Sequence, residues 1–179
     1  MTQVAQSQLI AQCLAQDRHA QQALYDQYRR AMFTLAYRIT NDFELAAEVL
    51  QDAFLQIFKS LSHFRGDSTL GAWIKTIVVR TAYRHLKARI SFQELPPQYG
   101  ETPIDWGDVA DIEYLEKAIQ NLPDGFRTVF TLIEIEGFSH REVADILGIT
   151  EGTSKSQLFY AKKKLREILS KEQKNLRNF

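Results

Sequence analysis

The 179-residue sequence predicts an all-α protein with two helical domains joined by an acidic flexible linker, the C-terminal domain being a helix-turn-helix. All four prolines lie at positions 96, 97, 103 and 123, and no glycine precedes Gly66, so the first 60 residues contain neither strong helix breaker. Apolar residues recur at helical spacing on both sides of the stretch 91–110, and no β-period is found. We therefore expect domains at 1–90 and 111–179, with the linker at 91–110.

The N-terminal domain contains three predicted helices. The first two have these apolar stripes: Leu24, Tyr28, Leu35 and Ile39, then Leu45, Val49, Ala53 and Ile57. "TND" at 40–42 separates them, and either Asn41 or Asp42 is expected to cap the second helix. The third helix follows "FRGDST", with Asp67 or Ser68 as its cap, and runs to about Arg89.

A linker and four shorter helices are predicted after residue 90. The stretch "SFQELPPQYGETPIDWGD" combines a diproline, two glycines and several acids with no period, which indicates a linker. The helical segments beyond it are "VADIEYLEKAIQNL", "PDGFRTVFTLIEIEG", "SHREVADILG" and "TEGTSKSQLFYAKKKLREILSKE".

The last two segments have the layout of a helix-turn-helix. Ser139 and Glu142 have the spacing of a capping box, which starts a helix. Gly148 permits a left-handed turn, Ile149 can enter the interhelical core, and Thr150 can cap the next helix. An amphipathic hairpin with an ordinary solvated face is the alternative, but two caps and a glycine at this spacing favour DNA binding.

The second helix of this pair has an apolar and a polar face. The expected buried stripe is Leu158, Ala161, Leu165 and Leu169, and the opposite face is expected to present Thr153, Ser156, Gln157, Tyr160 and Lys164. Short polar side chains suit base edges in the major groove, and lysines suit phosphates. This pattern is typical of a recognition helix.

The charges are sorted along the chain although the formal net charge is zero. Residues 59–90 have seven basic side chains and one acidic, net +6; residues 91–125 have one basic and eight acidic, net −7; residues 139–179 have nine basic and five acidic, net +4. Two basic blocks separated by an acidic one indicate two polyanion-binding surfaces. Solvated helix faces are the alternative explanation.

The first basic block contains an aromatic side chain among cations. On the helix after residue 68, the expected inward residues are Leu70, Ile74, Ile77, Val78 and Thr81, whereas the flank has Trp73, Thr76, Arg80, Arg84 and Lys87. Bases can stack on the tryptophan while phosphates pair with the cations, which suits single-stranded nucleic acid. Alternatively, Trp73 packs in the core and the cations face solvent.

Several other classes of function are disfavoured. A single cysteine, Cys13, excludes an internal disulfide and is expected in the core, and four scattered histidines lack metal-ligand spacing. No catalytic constellation, phosphate loop, secretory signal or membrane span stands out. We expect a cytoplasmic non-enzyme with no cofactor, no metal and no membrane insertion.

The motifs together resemble the extracytoplasmic-function sigma factors of the bacterial sigma-70 family. "AAEVLQDAFLQIF" is similar to the family's A-E-D-x-x-Q-x-x-F helix, "FRGDSTLGAWI" to its F-R-G…W-L segment, and "LPDGFRTVFTL" with "GFSHREVADILGITEGTSKSQL" to its C-terminal region. The resemblance covers about residues 20 to 169. It implies a non-catalytic protein that brings core RNA polymerase to promoters, with 1–90 as region 2 and 111–179 as region 4.

The resemblance implies three sets of site residues. Polymerase binding is expected from Glu48, Gln51 and Asp52. Recognition and melting of the minus-ten element, with capture of the non-template strand, is expected from Phe64, Arg65, Asp67, Ser68, Thr69, Trp73, Thr76, Arg80, Arg84 and Lys87. Duplex recognition at the minus-thirty-five element is expected from Thr153, Lys155, Ser156, Gln157, Tyr160, Lys163 and Lys164. An anti-sigma factor is a further expected partner.

The chain departs from the family pattern in its recognition helix. The common G-T-V-x-S-R-x-x-R-A-R reads "GTSKSQLFYAK" here, so Gln157 and Tyr160 replace arginines. Glutamine favours adenine where arginine favours guanine, which predicts an unusual minus-thirty-five preference.

Two other functions remain open at this stage. A stand-alone helix-turn-helix regulator predicts tight duplex binding without polymerase, and an adaptor whose basic faces meet acidic partners predicts no sequence preference.

Overall fold

The computed structural model describes residues 3–90, 92 and 112–176, and within these ranges every regular element is a helix, as predicted. Contacts divide the chain into two compact units, Met1–Leu86 and Lys87–Phe179. Apart from Phe92, the predicted linker lies outside the described residues. The domain boundaries proposed above therefore stay predictions.

The first unit is built on three long helices. Its elements are α1 (Gln3–Leu14), α2 (Arg18–Thr40), α3 (Phe43–Ser60), a single 3-10 turn (Leu61–His63) and α4 (Leu70–Leu86). Helices α2, α3 and α4 pack against one another, and α1 packs on α2. Their fully buried large side chains are Leu24, Leu35, Ile39, Ile57, Leu61, Leu70, Ile74 and Leu86. Cys13 is also buried, as expected, and burial raises the pKa of its thiol.

Local capping explains where these helices begin and end. Asn41 adopts a left-handed conformation (φ 53°) that ends α2, and the Asp42 carboxylate accepts a hydrogen bond from the Leu45 amide at 3.0 Å, which starts α3. The predicted cap at 40–42 is thus Asp42. The cap predicted for α4 is wrong, because Thr69, rather than Asp67 or Ser68, accepts the Ala72 amide at 3.2 Å. Helix α4 ends at Leu86, before the expected Arg89.

The second unit packs three shorter helices around one long helix. Its elements are α5 (Ile112–Gln120), α6 (Asp124–Phe130), which continues as a π-helical turn (Thr131–Ile135), α7 (His140–Leu147) and α8 (Glu151–Leu176). Helices α5, α6 and α7 all contact α8. The fully buried large side chains of this unit are Leu122, Leu132, Leu147 and Leu165. All four helices correspond to segments predicted from the sequence.

A buried arginine joins α5 to α6. The Arg127 side chain is 3% exposed, and its guanidinium donates to the Leu122 carbonyl at 2.7 Å and to the Gln120 carbonyl at 3.4 Å. It also pairs with the Asp124 carboxylate. Carbonyls at the end of a helix have no intrahelical partner, so this guanidinium serves as the C-terminal cap of α5 from within the core.

Candidate nucleic-acid interface

Helices α7 and α8 form the predicted helix-turn-helix. The Glu142 amide donates to the Ser139 hydroxyl oxygen at 3.3 Å, and the Ser139 amide donates to the Glu142 carboxylate at 2.8 Å, which completes the capping box. Hydrogen bonds from the Ser139 side chain and then its amide lower the pKa of Glu142. Gly148 is left-handed (φ 65°), and the Thr150 hydroxyl accepts the Thr153 amide at 3.0 Å. The predicted cap, turn and second cap are all confirmed.

The polar face of α8 differs from the prediction at two positions. The apolar stripe is buried as expected, with Leu158, Ala161, Leu165 and Leu169. However, Ser156 and Gln157, which were expected on the exposed opposite face, are only 4% and 2% exposed. The predicted exposure of these two side chains is therefore wrong.

Packing against α6 explains the burial of Gln157. A side chain at Gly125 of α6 would bring its Cβ to 3.4 Å from the Gln157 amide oxygen and 3.5 Å from the Phe92 ring. The Gln157 side chain therefore packs directly beside Gly125. The Ser156 hydroxyl donates back to the Thr153 carbonyl at 3.0 Å, which turns this short side chain onto its own helix.

The remaining predicted minus-thirty-five residues are more accessible. Lys155, Lys163 and Lys164 are exposed, whereas Thr153 and Tyr160 are half-buried. Lys164 lies 3.6 Å from Glu167 in an exposed pair. The Tyr160 ring stacks on Phe126 of α6, with centroids 6.4 Å apart and planes at 15°, so only part of this ring is free for a ligand.

The predicted minus-ten residues lie along α4 and the loop before it. Arg65, Asp67, Ser68 and Thr69 are exposed in the loop, and Gly66 has a φ of +79° that favours glycine. Phe64 and Trp73 are half-buried and contact each other, with centroids 5.5 Å apart. The Trp73 ring thus packs on one side and is accessible on another, between the two alternatives that the sequence left open.

The cationic flank of α4 is largely as expected. Arg80 and Arg84 are exposed on α4, and the exposed Lys87 follows the end of the helix. The half-buried Thr76 donates its hydroxyl hydrogen bond to the Ala72 carbonyl at 3.1 Å. Of the predicted inward residues, Leu70, Ile74, Val78 and Thr81 are buried and Ile77 is half-buried.

The predicted polymerase-binding residues lie on α3. Glu48 and Gln51 are exposed, but the half-buried Asp52 contacts α4 instead of extending freely: its Oδ2 is 2.9 Å from His85 Nε2 and 3.8 Å from an Arg84 guanidinium nitrogen. Gln51 borders a mostly apolar groove of about 390 Å³ formed by α2 and α3. This groove is lined by Tyr25, Ala47, Leu50, Gln51, Phe54, Leu55 and Phe58.

Sequence reasoning missed one polar contact inside the helix-turn-helix. His140 Nδ1 lies 2.9 Å from the Ser154 hydroxyl, and Ser154 is fully buried. Burial, and then the nearby Lys155, lower the pKa of His140. A signal for this contact was present in the sequence: Ser154 stands where the family pattern G-T-V-x-S-R has valine, so a polar side chain replaces an apolar one.

Two kinds of feature are absent from the residues that the structure describes. None of the helices in those ranges is both long and apolar enough to cross a bilayer. The same part of the chain contains no group of three His, Cys, Asp or Glu side chains placed to hold a metal ion.

Comparisons with known proteins agree with this arrangement. Residues 24–90 match the model of sigma-70 region 2, and residues 112–165 match that of sigma-70 region 4. The RNA polymerase sigma-H factor of Pseudomonas aeruginosa is 32% identical over 188 residues, covering 94% of this chain and 96% of the relative. The ECF RNA polymerase sigma-E factor of Escherichia coli K12 is 30% identical over 134 residues, covering 64% and 69%.

Solved structures show the same fold. The sigma factor RpoE of Bartonella quintana, in complex with the anti-sigma factor NepR, aligns with a TM-score of 0.59 at 25% identity, over 83% of this chain and 96% of that one. CnrH, in complex with the cytosolic domain of CnrY, aligns with a TM-score of 0.56 at 22% identity, over 90% and 95%. Both regions are present in order, and the sigma-H relative matches over nearly the full length of both chains. The chain therefore belongs to the sigma-70 family, as one of its extracytoplasmic-function (ECF) sigma factors.

Proposed function

We propose that this chain binds core RNA polymerase, directs it to specific promoters and initiates DNA opening, without catalysing a reaction itself. The observation that supports this most is the presence on one chain of two different surfaces suited to nucleic acid. The first is the α4 surface, formed by Trp73, Arg80 and Arg84 with the loop at 63–69, and the second is the helix-turn-helix of α7 and α8. A regulator that only docks on duplex DNA does not need the first surface.

The α4 surface is suited to an opened strand. Extruding a base from the duplex costs a few kcal/mol of free energy. Stacking of the base on an aromatic ring and pairing of phosphates with guanidinium groups can offset this cost. Trp73 is half-buried and packs against Phe64, while the cations beyond it are exposed. We propose that the non-template strand of the minus-ten element follows this surface.

The helix-turn-helix is suited to a duplex. We propose that α8 lies in the major groove of the minus-thirty-five element and that the exposed Lys155, Lys163 and Lys164 contact phosphates. Direct base contact then falls to Thr153 and to the accessible part of Tyr160. Base readout by Gln157 or Ser156 requires these side chains to leave their buried positions.

We propose two protein partners. Core polymerase would bind α3, where Glu48 and Gln51 are exposed beside the apolar groove. An anti-sigma factor is the second, because the similar RpoE of Bartonella quintana was solved in complex with one.

The test is run-off transcription with bacterial core polymerase on a library of promoter sequences, with and without this chain. We expect chain-dependent transcripts whose templates share two spaced elements. Tight binding of the chain alone to a palindromic duplex, with no chain-dependent transcript, would instead establish a stand-alone regulator and refute the proposed role of α4.

A further inference from the structure

A side-chain hydrogen bond connects the start of α7 to the first turn of α8 in the helix-turn-helix. His140 is the first residue of α7 and Ser154 lies in the first turn of α8, fourteen positions later, with 2.9 Å between Nδ1 and the hydroxyl oxygen. The bond spans the Gly148–Thr150 turn. It therefore links the beginnings of the two helices directly.

The environment of the pair favours an uncharged imidazole. Lys155 and Lys162 face His140 from α8, and Glu151 and Glu134 partly offset them from α8 and the π-helical turn. Glu134 is itself paired with Lys162 at 2.8 Å. With burial as the largest effect, the pKa of His140 is lowered from 6.5, so the ring is neutral at neutral pH. A neutral ring still has a polar nitrogen that can bond to a hydroxyl.

A polar pair of this kind restricts geometry more than an apolar contact does. Ser154 is 0% exposed, and a buried hydroxyl that loses its partner costs the full desolvation of that group. A hydrogen bond also weakens steeply when its distance or angle changes. Valine, which the family motif has at this position, would tolerate small rotations of α8, whereas Ser154 bonded to His140 would not.

We propose that His140 is a positioning residue for the recognition helix: through Ser154 it holds the first turn of α8 at the angle from which Thr153 and Lys155 meet the promoter duplex. This inference rests on the proposed function, since it assigns how that helix is oriented. It predicts that losing the bond lowers sequence discrimination, and not only stability.

Three single variants distinguish the effect of the hydrogen bond from the effect of the volume of the imidazole ring. His140→Asn keeps a polar atom near the Nδ1 position, His140→Phe keeps a ring without one, and Ser154→Val removes the hydroxyl while filling its space. A double variant that combines His140→Phe with Ser154→Val removes both polar groups. His19→Phe is the matched control, because His19 is exposed on α2 in the other unit.

Each variant is assayed as holoenzyme on promoters randomised in the minus-thirty-five element, well below its own melting temperature. We expect wild type, His140→Asn and His19→Phe to select the same sequences. We expect His140→Phe and Ser154→Val each to lower the enrichment of the preferred minus-thirty-five sequences over random ones about tenfold. The double variant should lose no more than either single one, because both act on one bond.

Other outcomes would overturn the inference. Equal loss in His140→Asn and His140→Phe would show that the polar atom at Nδ1 is not what matters, and additive losses would show that the two residues act separately. Unchanged selectivity with a lowered melting temperature would assign the pair a structural role only. If wild type gives no transcripts, the proposed function fails. The same variants are then compared by selection of random duplexes on the free chain, where the same ranking is expected.

Discussion

At the scale of single residues, the polar side chains of α8 have more than one role. Ser154, Ser156 and Gln157 are buried, whereas Lys155 between them is exposed. A helical wheel built on one apolar stripe places Ser156 and Gln157 on the opposite, exposed face, since it assumes a single packing partner. Helix α8 contacts α5, α6 and α7, so its buried arc is wider than that stripe. The sequence alone does not reveal how many other helices pack against a given helix.

Replacing Gln157 is expected to affect stability more than base preference. Gln157→Ala should lower the free energy of unfolding by about 1–3 kcal/mol, because it empties a buried site beside Gly125. Lys155→Ala, by contrast, should leave the free energy of unfolding unchanged and weaken promoter binding for all sequences. The slope of the logarithm of the binding constant against the logarithm of the salt concentration should become shallower by about 1. Urea unfolding and holoenzyme binding at several salt concentrations measure these effects. A changed minus-thirty-five preference in Gln157→Ala would restore Gln157 as a base contact.

The capping box of α7 is expected to make the stability of the fold depend on pH. Since the pKa of Glu142 is lower in the folded chain than its ordinary 4.5, its carboxylate stabilises the fold above that value, and the contribution is lost as the pH falls through the lowered pKa. Glu142→Gln, which keeps a capping side chain without titrating, should flatten this dependence. Melting temperatures from pH 7 to 3, taken as differences from wild type, test this expectation. A constant difference across the range would contradict it.

At the scale of elements, α4 combines a buried face with an exposed cationic flank. Its buried residues pack on α2 and α3, while Trp73, Arg80 and Arg84 lie on the flank. Spacings of three and four residues predicted most of this division, although Val79 and Ala82 are also buried and Ile77 is only half-buried. Its start was predicted less well, since Asp67, Ser68 and Thr69 are all good caps and only backbone geometry selects Thr69.

Truncating Trp73 is expected to slow promoter opening. Trp73→Ala removes a stacking surface worth about 1–3 kcal/mol per base, so opening should slow by roughly 5- to 150-fold while polymerase binding is retained. Trp73→Phe keeps a ring and should retain most of the activity. Permanganate reactivity of unpaired thymines follows the opening directly. Loss of folding in Trp73→Ala with normal opening by the folded fraction would show that Trp73 serves only the core.

Replacing Arg127 is expected to destabilise the fold at the junction of α5 and α6. Arg127→Met leaves the Leu122 carbonyl and the Asp124 carboxylate without their buried guanidinium and should cost about 3–5 kcal/mol of unfolding free energy. Arg127→Lys keeps the charge but cannot make the same forked contacts, so it should recover only part of that loss. Urea unfolding of the full chain measures both. A cost below about 1 kcal/mol for Arg127→Met would show that the carbonyls find other partners.

At the scale of the whole molecule, the chain presents surfaces of opposite charge for different partners. The α4 surface and α8 present cations, and the outer face of α3 presents exposed Glu44 and Glu48. Two carboxylates one turn apart repel each other and gain from a basic partner. This sorting of charge explains how a chain of zero net charge can bind both a polyanion and a protein.

Reversing the charge at Glu48 is expected to weaken binding to core polymerase. Glu48→Lys should lower the affinity at least about tenfold, mainly through slower association, and leave the melting temperature unchanged because the residue is exposed. Asp52→Asn is the comparison, since His85 already holds that carboxylate, and it should weaken polymerase binding less. Fluorescence binding of labelled chain to core polymerase measures both. A larger loss in Asp52→Asn would mean that Asp52 leaves His85 to contact polymerase.

The sequence by itself determined the helical class, the order of helices α2 to α8, the turn at Gly148 and the family, whereas α1 was not predicted and the cap of α3 was left open between Asn41 and Asp42. These features depend on residues close together in the chain, where spacing and capping chemistry act directly. Only the tertiary structure decided that Gln157 and Ser156 are buried, that Asp52 is bonded to His85, and that His140 meets Ser154. These features join residues on different helices, or depend on how many helices surround α8, and helix packing alone sets those distances.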